Sequence, residues 1–253
     1  MSLIKTPEEI KLMRQAGKIL AKTLNQTIQY VKPGVSTLRL DQIAEDIILK
    51  AGAEPAFKNY SEGDSIYPAT ICASINEQIV HAIPRSERIM KLGDIIGIDC
   101  GVKYKGYYSD MAISVPVGKI SSDAKKILDV TEKSLVAGIA VAKDGDHLGD
   151  ISWAIQSLVE KNNLTIIKQL CGHGIGRDLH EEPEILNYGR PGTGLKLKAG
   201  MVLAIEPMVS AGDWRIKSNC DDWAIVTADG SLSAHFEHTI LITESGAEIL
   251  TKE

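Results

Sequence analysis

KLGDIIGID (residues 91–99) and LKAGMVLAIE (residues 197–206) follow one pattern: a lysine, any residue, a glycine, an apolar strand-like run and a terminal carboxylate. Two shorter matches recur in the same order, Lys32-Pro33-Gly34 with Lys143-Asp144-Gly145 and His81-Ala82-Ile83-Pro84 with His180-Glu181-Glu182-Pro183. Ordered self-similarity of this kind marks an internal duplication. It implies two α+β halves, about residues 7–118 and 121–243, which share one core and superpose Asp99 on Glu206 and His81 on His180. A site in such a fold belongs at the join between the halves.

Reading outward, Thr6-Pro7-Glu8-Glu9 is a helix start, with Thr6 as N-cap, Pro7 at the first helical position and Glu9 closing a capping box. Ile10, Met13, Ala16, Leu20, Leu24 and Ile28 then recur at helical spacing toward Lys32-Pro33-Gly34. A second helix, capped by Ser36 or Thr37, turns Leu40, Ile43, Ala44 and Ile47 inward and stops at Ala51-Gly52. Residues 53–68 hold Pro55, Gly63 and Pro68 with Phe57, Tyr60 and Tyr67, and read as an irregular loop of the kind that often carries a binding surface. Strands are predicted at 70–75, 77–83, 94–102 and 107–117, with Lys105-Gly106 as a turn. The second half repeats the order, with helices at 124–142 and 148–161, a strand at 164–170 and further strands beyond.

LCGHGIGRDLHEEP (residues 170–183) sets His173 and His180 seven residues apart, a spacing that suits neither one helix face nor one side of a strand. Gly172, Gly174 and Gly176 allow the chain to bend there, by positive φ or by close backbone approach. His173 is expected at the exit of the preceding strand and His180 on the loop beyond. Taken singly, either histidine is more often an ordinary polar loop residue.

The acids change that balance. Asp99 and Glu206 stand behind apolar strand runs, while Asp110 in GYYSDMAISV and Glu237 in SAHFEHTILIT lie inside strand-like sequence where a carboxylate is not expected. One such acid is ordinarily a salt bridge or an exposed strand face. Four of them brought together repel: at ~4 Å and an effective dielectric of ~20, each pair costs about 4 kcal/mol. Cations must neutralise them. Four carboxylates and one imidazole exceed what a single tetrahedral zinc takes and suit two divalent ions, drawn from manganese, iron(II), cobalt or zinc by the bias toward hard oxygen. Water between such ions would lose a proton near neutral pH, which is hydrolase chemistry.

Other functions are excluded by what the chain lacks. Its 253 residues carry a net charge of −5 with no stripe of Lys and Arg, which argues against nucleic acid as a partner. MSLIKTPEEIKLMRQAG has charges where a signal peptide needs an apolar run, and no stretch approaches membrane-spanning length, so a cytoplasmic location is expected. The four cysteines, Cys72, Cys100, Cys171 and Cys220, form no C-x-x-C pair and are expected to be free thiols. Neither a G-x-S-x-G elbow nor a phosphate-binding G-x-x-x-x-G-K-[ST] loop is present.

With SINEQIVHAIP, GHGIGRDLHEEP, AIEPMVSAG and EHTILIT in frame, and Asp99, Asp110, His173, Glu206 and Glu237 in that order, the chain resembles the type I methionine aminopeptidases over essentially its whole length. The resemblance implies a pita-bread (creatinase/aminopeptidase-like) fold, two pseudo-symmetric α+β halves around a curved antiparallel sheet, as a single catalytic domain spanning 1–253. It implies hydrolysis of the initiator methionine from nascent proteins when the second residue is small. Asp110 and Glu237 would bridge two divalent ions, Asp99 completing one coordination sphere and His173 with Glu206 the other. A hydroxide shared by the ions would attack the scissile carbonyl, with Glu206 handling the proton, His180 stabilising the oxyanion and His81 contacting the amide that becomes the leaving amine. Tyr60, Tyr67, Cys72 and Trp223 fall in the methionine pocket, where rings suit a flexible thioether, and His81 and His180 also touch substrate. The implied partners are Met-bearing peptides and nascent chains, with transient ribosome contact, for a monomer. The chain departs from the family pattern in a longer Tyr60–Tyr67 segment, in Ala82 where glycine is common and in Leu179 where an aromatic is frequent. Xaa-Pro aminopeptidases and dipeptidases of the same fold are the nearest rival, but they usually carry an extra N-terminal domain, whereas the first helix cap here is Thr6.

Overall fold

Thr6 accepts a hydrogen bond from the Glu9 backbone while the Glu9 carboxylate reaches back to the Thr6 N–H, and helix α1 (Pro7–Thr27) starts from that box. A computed structural model describes residues 2–63, 65–218 and 223–253; Cys220 lies outside the described residues. Helix α1 ends earlier than its apolar period predicts, tightening into a 3-10 turn at Ile28–Tyr30. Ile28 there is only partly buried, because the last turn has run past the core. Ser36 caps α2 (Thr37–Lys50) through its side chain.

The strands of the first half are β1 (Glu54–Pro55), β2 (Ser61–Glu62), β3 (Ser65–Ile66), β4 (Ile71–Ile75), β5 (Gln78–Val80), β6 (Ile95–Tyr104) and β7 (Tyr107–Pro116). Helices α3 (Ser122–Ala140) and α4 (Leu148–Lys161) follow. The remaining strands are β8 (Thr165–Ile166), β9 (Cys171–Gly174), β10 (Glu181–Leu186), β11 (Val202–Ile205), β12 (Met208–Ser210), β13 (Ile216–Ser218), β14 (Ile225–Thr227), β15 (Ser233–His235), β16 (His238–Thr243) and β17 (Gly246–Ile249). Among the described residues every strand pairing is antiparallel. One sheet runs β1-β6-β4 with β7 on β6, and the main second-half sheet runs β10-β9-β11-β16-β17. Helices α1 and α2 cover the first through Leu20, Leu24, Leu40, Ile48, Ile71 and Ile98, all fully buried. Helices α3 and α4 cover the second through Ile127, Ile151, Ile155, Leu203 and Ile240.

The two sheets are stitched together along β7. Asp110 N–H donates to Thr239 Oγ1 at 2.9 Å and the same hydroxyl donates to Asp110 O at 2.8 Å. Glu237 N–H donates to Ala112 O, and Ser114 Oγ donates to His235 O. These bonds fix β7 against the chain from 235 to 239.

Several local expectations are corrected. The strand expected at 164–170 is only β8, because β8 pairs with β12 while β9 pairs with β10 and β11, so the chain changes sheets in between. His173 therefore sits inside its own strand rather than at the exit of the previous one. Asp99 is mid-strand, since β6 continues to Tyr104. Glu237 is not within a strand but in the break between β15 and β16, where the chain crosses from one sheet to the next. The stretch 53–68 is irregular apart from β1 and the β2–β3 ribbon. Among the described residues no helix is long and apolar enough to cross a membrane, and Cys72, Cys100 and Cys171 are free thiols.

Candidate metal centre and active site

Strand register explains why distant acids converge. Asp99 pairs with Ala112 and Asp110 with Gly101, so the two acids lie diagonally across the β6–β7 hairpin on one face. Continuing the β11–β16 register one step past Ile205↔His238 sets Glu206 opposite Glu237. His173 pairs with Ala204, two residues before Glu206, and so shares its face. Asn187 Nδ2 donates to Glu206 O at 2.9 Å and holds the backbone where β11 ends.

The glycines around His173 act through close approach. A Cβ on Gly172 would meet Ala204 O at 2.3 Å, and one on Gly174 would meet Glu182 O at 2.0 Å. Neither has positive φ, so the bend to His180 comes from the β9–β10 hairpin rather than from left-handed glycine.

Three sets of ligand atoms each lie within 4.8 Å of one another: Asp99, Asp110 and Glu237; His173, Glu206 and Glu237; and Asp110, His173 and His180. His173 Nε2 is 3.6 Å from Glu206 Oε1, and the His173 and His180 rings meet edge to face at 4.5 Å. Asp99 Oδ1 and Glu237 Oε1 are buried without a hydrogen-bond partner. Among the described residues no lysine or arginine pairs with any of the four acids.

Charge in such a place is expensive. Burial, with Glu206 adding repulsion against the opposing pull of His235, pushes Asp99 up to about 7. Burial first, then the neighbouring acids, raises Asp110 and Glu237 well above the carboxylate range, and burial alone does so for Glu206. Burial, and then His180, lowers His173 to about 3, while burial with His235 and His180 lowers His81 to about 4. Neutral imidazole beside unpaired buried carboxyl oxygens is a donor set that fits divalent cations, which would replace the protons and end the repulsion.

The cluster floors a cavity of about 580 Å³. One wall holds Phe57, Tyr60, Tyr67, Cys72, Leu179 and Trp223, and Tyr67 meets Trp223 edge to face at 5.4 Å. Tyr67 is also core: it is buried, and its hydroxyl donates to Ile71 O and Ala82 O. Tyr60 Oη lies 2.8 Å from His180 Nδ1. His81 lines the same cavity from a left-handed backbone conformation, φ 61°. All eleven residues singled out in the sequence thus line this one space. Val80, Leu170, Cys171, Glu182, Glu184 and Met208 also line the cavity and were not foreseen. His235, buried with Nε2 3.3 Å from Glu206 Oε2, was missed as well. The available signal was its place two residues before Glu237.

A model of metallopeptidase family M24 matches residues 11–244. Methionine aminopeptidase 1 of Bacillus subtilis (strain 168) is 52% identical over 252 residues, covering all of both chains. The chain belongs to metallopeptidase family M24, on its methionine aminopeptidase branch. The solved structure of methionine aminopeptidase from Thermotoga maritima matches this M24 peptidase with a TM-score of 0.96 at 47% identity, covering 99% of each chain. The prolidase from Pyrococcus furiosus matches with a TM-score of 0.75 at 25% identity, and only 66% of its length is covered. The α+β architecture of the M24 chain is accordingly the pita-bread fold these proteins share, as the sequence resemblance implied.

Proposed function

We propose that this M24 metallopeptidase hydrolyses the bond after an N-terminal methionine in peptides and nascent proteins whose second residue is small. One observation carries the reading: three buried acids, the partly buried Glu206 and His173 gather in a cavity also lined by Tyr67, Cys72 and Trp223. Aromatic rings and a thiol accept a flexible thioether. Full-length likeness to proteins named methionine aminopeptidase supports the same substrate.

Asp110 and Glu237 would be shared by two divalent ions, with Asp99 completing the ligands of one and His173 with Glu206 those of the other. Asp110, His173 and Glu237 each belong to two of the three close groupings, and of these only the two carboxylates have a second oxygen to share between ions. Bound ions of this kind lower the pKa of water toward neutrality and polarise a carbonyl. Manganese, cobalt, iron(II) and zinc all accept such ligands.

The remaining work falls to the chain's own side chains. Glu206 is the group that takes a proton from the attacking water and returns it to the leaving amine. His180, with Nδ1 beside the Tyr60 hydroxyl, can donate through Nε2 to the carbonyl oxygen as negative charge develops there. His81, kept neutral by burial, contacts the amide nitrogen. The wall formed by Tyr60, Tyr67, Cys72 and Trp223 excludes water and orients the methionine side chain. Residues 1–253 act as one catalytic domain, with halves at about 7–118 and 121–243, working as a cytoplasmic monomer that meets nascent chains at the ribosome.

Metal-stripped protein assayed on Met-Ala-Ser and on an Ala-Pro peptide, with one divalent metal restored at a time, tests this. Methionine release from the first peptide alone is expected, and preferential cleavage of the second overturns the assignment.

A further inference from the structure

Glu206 is bracketed by two imidazoles. His173 Nε2 stands 3.6 Å from one carboxylate oxygen, Oε1, and His235 Nε2 stands 3.3 Å from the other, Oε2. Only His173 was anticipated as part of the centre. His235 is 3% exposed, and its Nε2 is fully buried without a hydrogen-bond partner. A buried polar atom left so close to a carboxylate is costly unless the contact becomes a hydrogen bond.

The ring is firmly seated. Ser114 on β7 grips both backbone groups of His235, accepting from its N–H at 3.0 Å and donating to its carbonyl at 2.8 Å. On its other edge, β15 pairs with β12 through Met208↔His235, and β12 begins two residues after Glu206. His235 is thus carried on β15 and Glu206 on the two-residue link from β11 to β12, at the join between the sheets. Asp99 also feels the imidazole, but the close contact of Nε2 is to Glu206 Oε2.

We infer that His235 is a positioning residue for Glu206, donating through Nε2–H to Oε2 so that Oε1 is turned toward His173 and the cation site. The inference rests on the reading of Glu206 as cation ligand and proton carrier. Ligating carboxylates need such an outer partner, because without one the carboxylate rotates and loses both affinity and aim. His235 touches neither substrate nor the reacting atoms; it acts through Glu206.

The test compares His235→Leu and His235→Met, which fill the space without a donor, with His235→Gln, which keeps a side-chain N–H. Manganese affinity of the stripped proteins is measured by calorimetry, alongside kcat and KM for Met-Ala-Ser and thermal unfolding. For the apolar variants manganese affinity should weaken about 10–100-fold. Their kcat should fall further than KM rises, while His235→Gln stays close to wild type in both readouts. Should His235→Leu not fold, His235→Met carries the comparison. Apolar variants that bind manganese and turn over like wild type overturn the inference, as does a folded His235→Gln as impaired as the leucine variant, which would mark a packing role only. If the wild-type protein released no methionine, the functional reading would fall, and the affinity arm would still decide the role of His235.

Discussion

At the scale of single residues, Asp99, Asp110 and Glu237 are buried while Glu206 keeps 12% of its side chain exposed, and the four differ in what faces them. Glu206 has an imidazole nitrogen on each of its two oxygens and lines the open cavity, which is why it is the acid proposed to move a proton. Replacing it with Gln keeps the shape and removes both charge and basicity. The variant should fold, with circular dichroism unchanged, and lose about 10²–10⁴-fold in kcat on Met-Ala-Ser. A near-normal kcat would contradict the assigned role. Tyr67 and Trp223 separate differently. Tyr67 ties two carbonyls together from a buried position, so Tyr67→Ala should destabilise by about 3 kcal/mol as well as weaken substrate binding. Trp223→Ala is the cleaner pocket probe, and it should raise KM with little change in the thermal midpoint. A pure stability effect at Trp223 would assign it to the core instead.

At the scale of elements, the loop that carries His180 is anchored from the far end of the chain. Lys5 Nζ donates to Glu181 Oε2, with both side chains under a tenth exposed, and Glu181 Oε1 accepts the Arg177 and Asp178 backbone N–H groups. Lys5 is itself held by its N–H to Gly200 O. Breaking a buried pair by removing one partner leaves the other charge uncompensated, so Lys5→Met should cost about 3–5 kcal/mol in denaturant unfolding. It should also lower kcat, because His180 is the residue next to Glu181; unchanged stability and turnover would show the strap to be idle. This contact was illegible in the sequence, because nothing local to Lys5 points to residue 181. What was legible is what repeats at short range: the Thr6 capping box, the helix periods, and the matched Lys-x-Gly runs that lead to Asp99 and Glu206, although β6 continues past Asp99 to Tyr104. Glu237 shows the limit. Its flanks read as one strand, and only the crossing from β15 to β16 puts it opposite Glu206. His235 was passed over for the same reason, since its partner is set by tertiary register and not by its own neighbours.

At the scale of the whole molecule, folding around so many buried titratable groups links stability to pH and to cations. Asp99, Asp110, Glu206 and Glu237 are held above their ordinary range, so the folded, metal-free protein keeps protons that the unfolded chain has released. His81, His173, His235 and His238 are held below theirs by burial, so the unfolded chain keeps protons that the fold rejects. The two sets oppose each other at lower pH, until the unfolded histidines finish titrating above about 6.5. Beyond that only the acids remain, the folded state binds more protons, and stability falls as pH rises. The stripped protein should therefore show a falling Tm from about pH 6.5 to 8.5, and saturating manganese should abolish the slope by taking the place of the protons. A flat or rising Tm in the stripped protein would contradict the buried-acid picture. The central claim is that two halves of one chain close around a pair of cations. Its most direct test is an anomalous difference map from crystals soaked in manganese. The account predicts two peaks among the carboxylates of Asp99, Asp110, Glu206 and Glu237 with His173 at one of them; peaks confined to the surface, with this cluster empty, would contradict it.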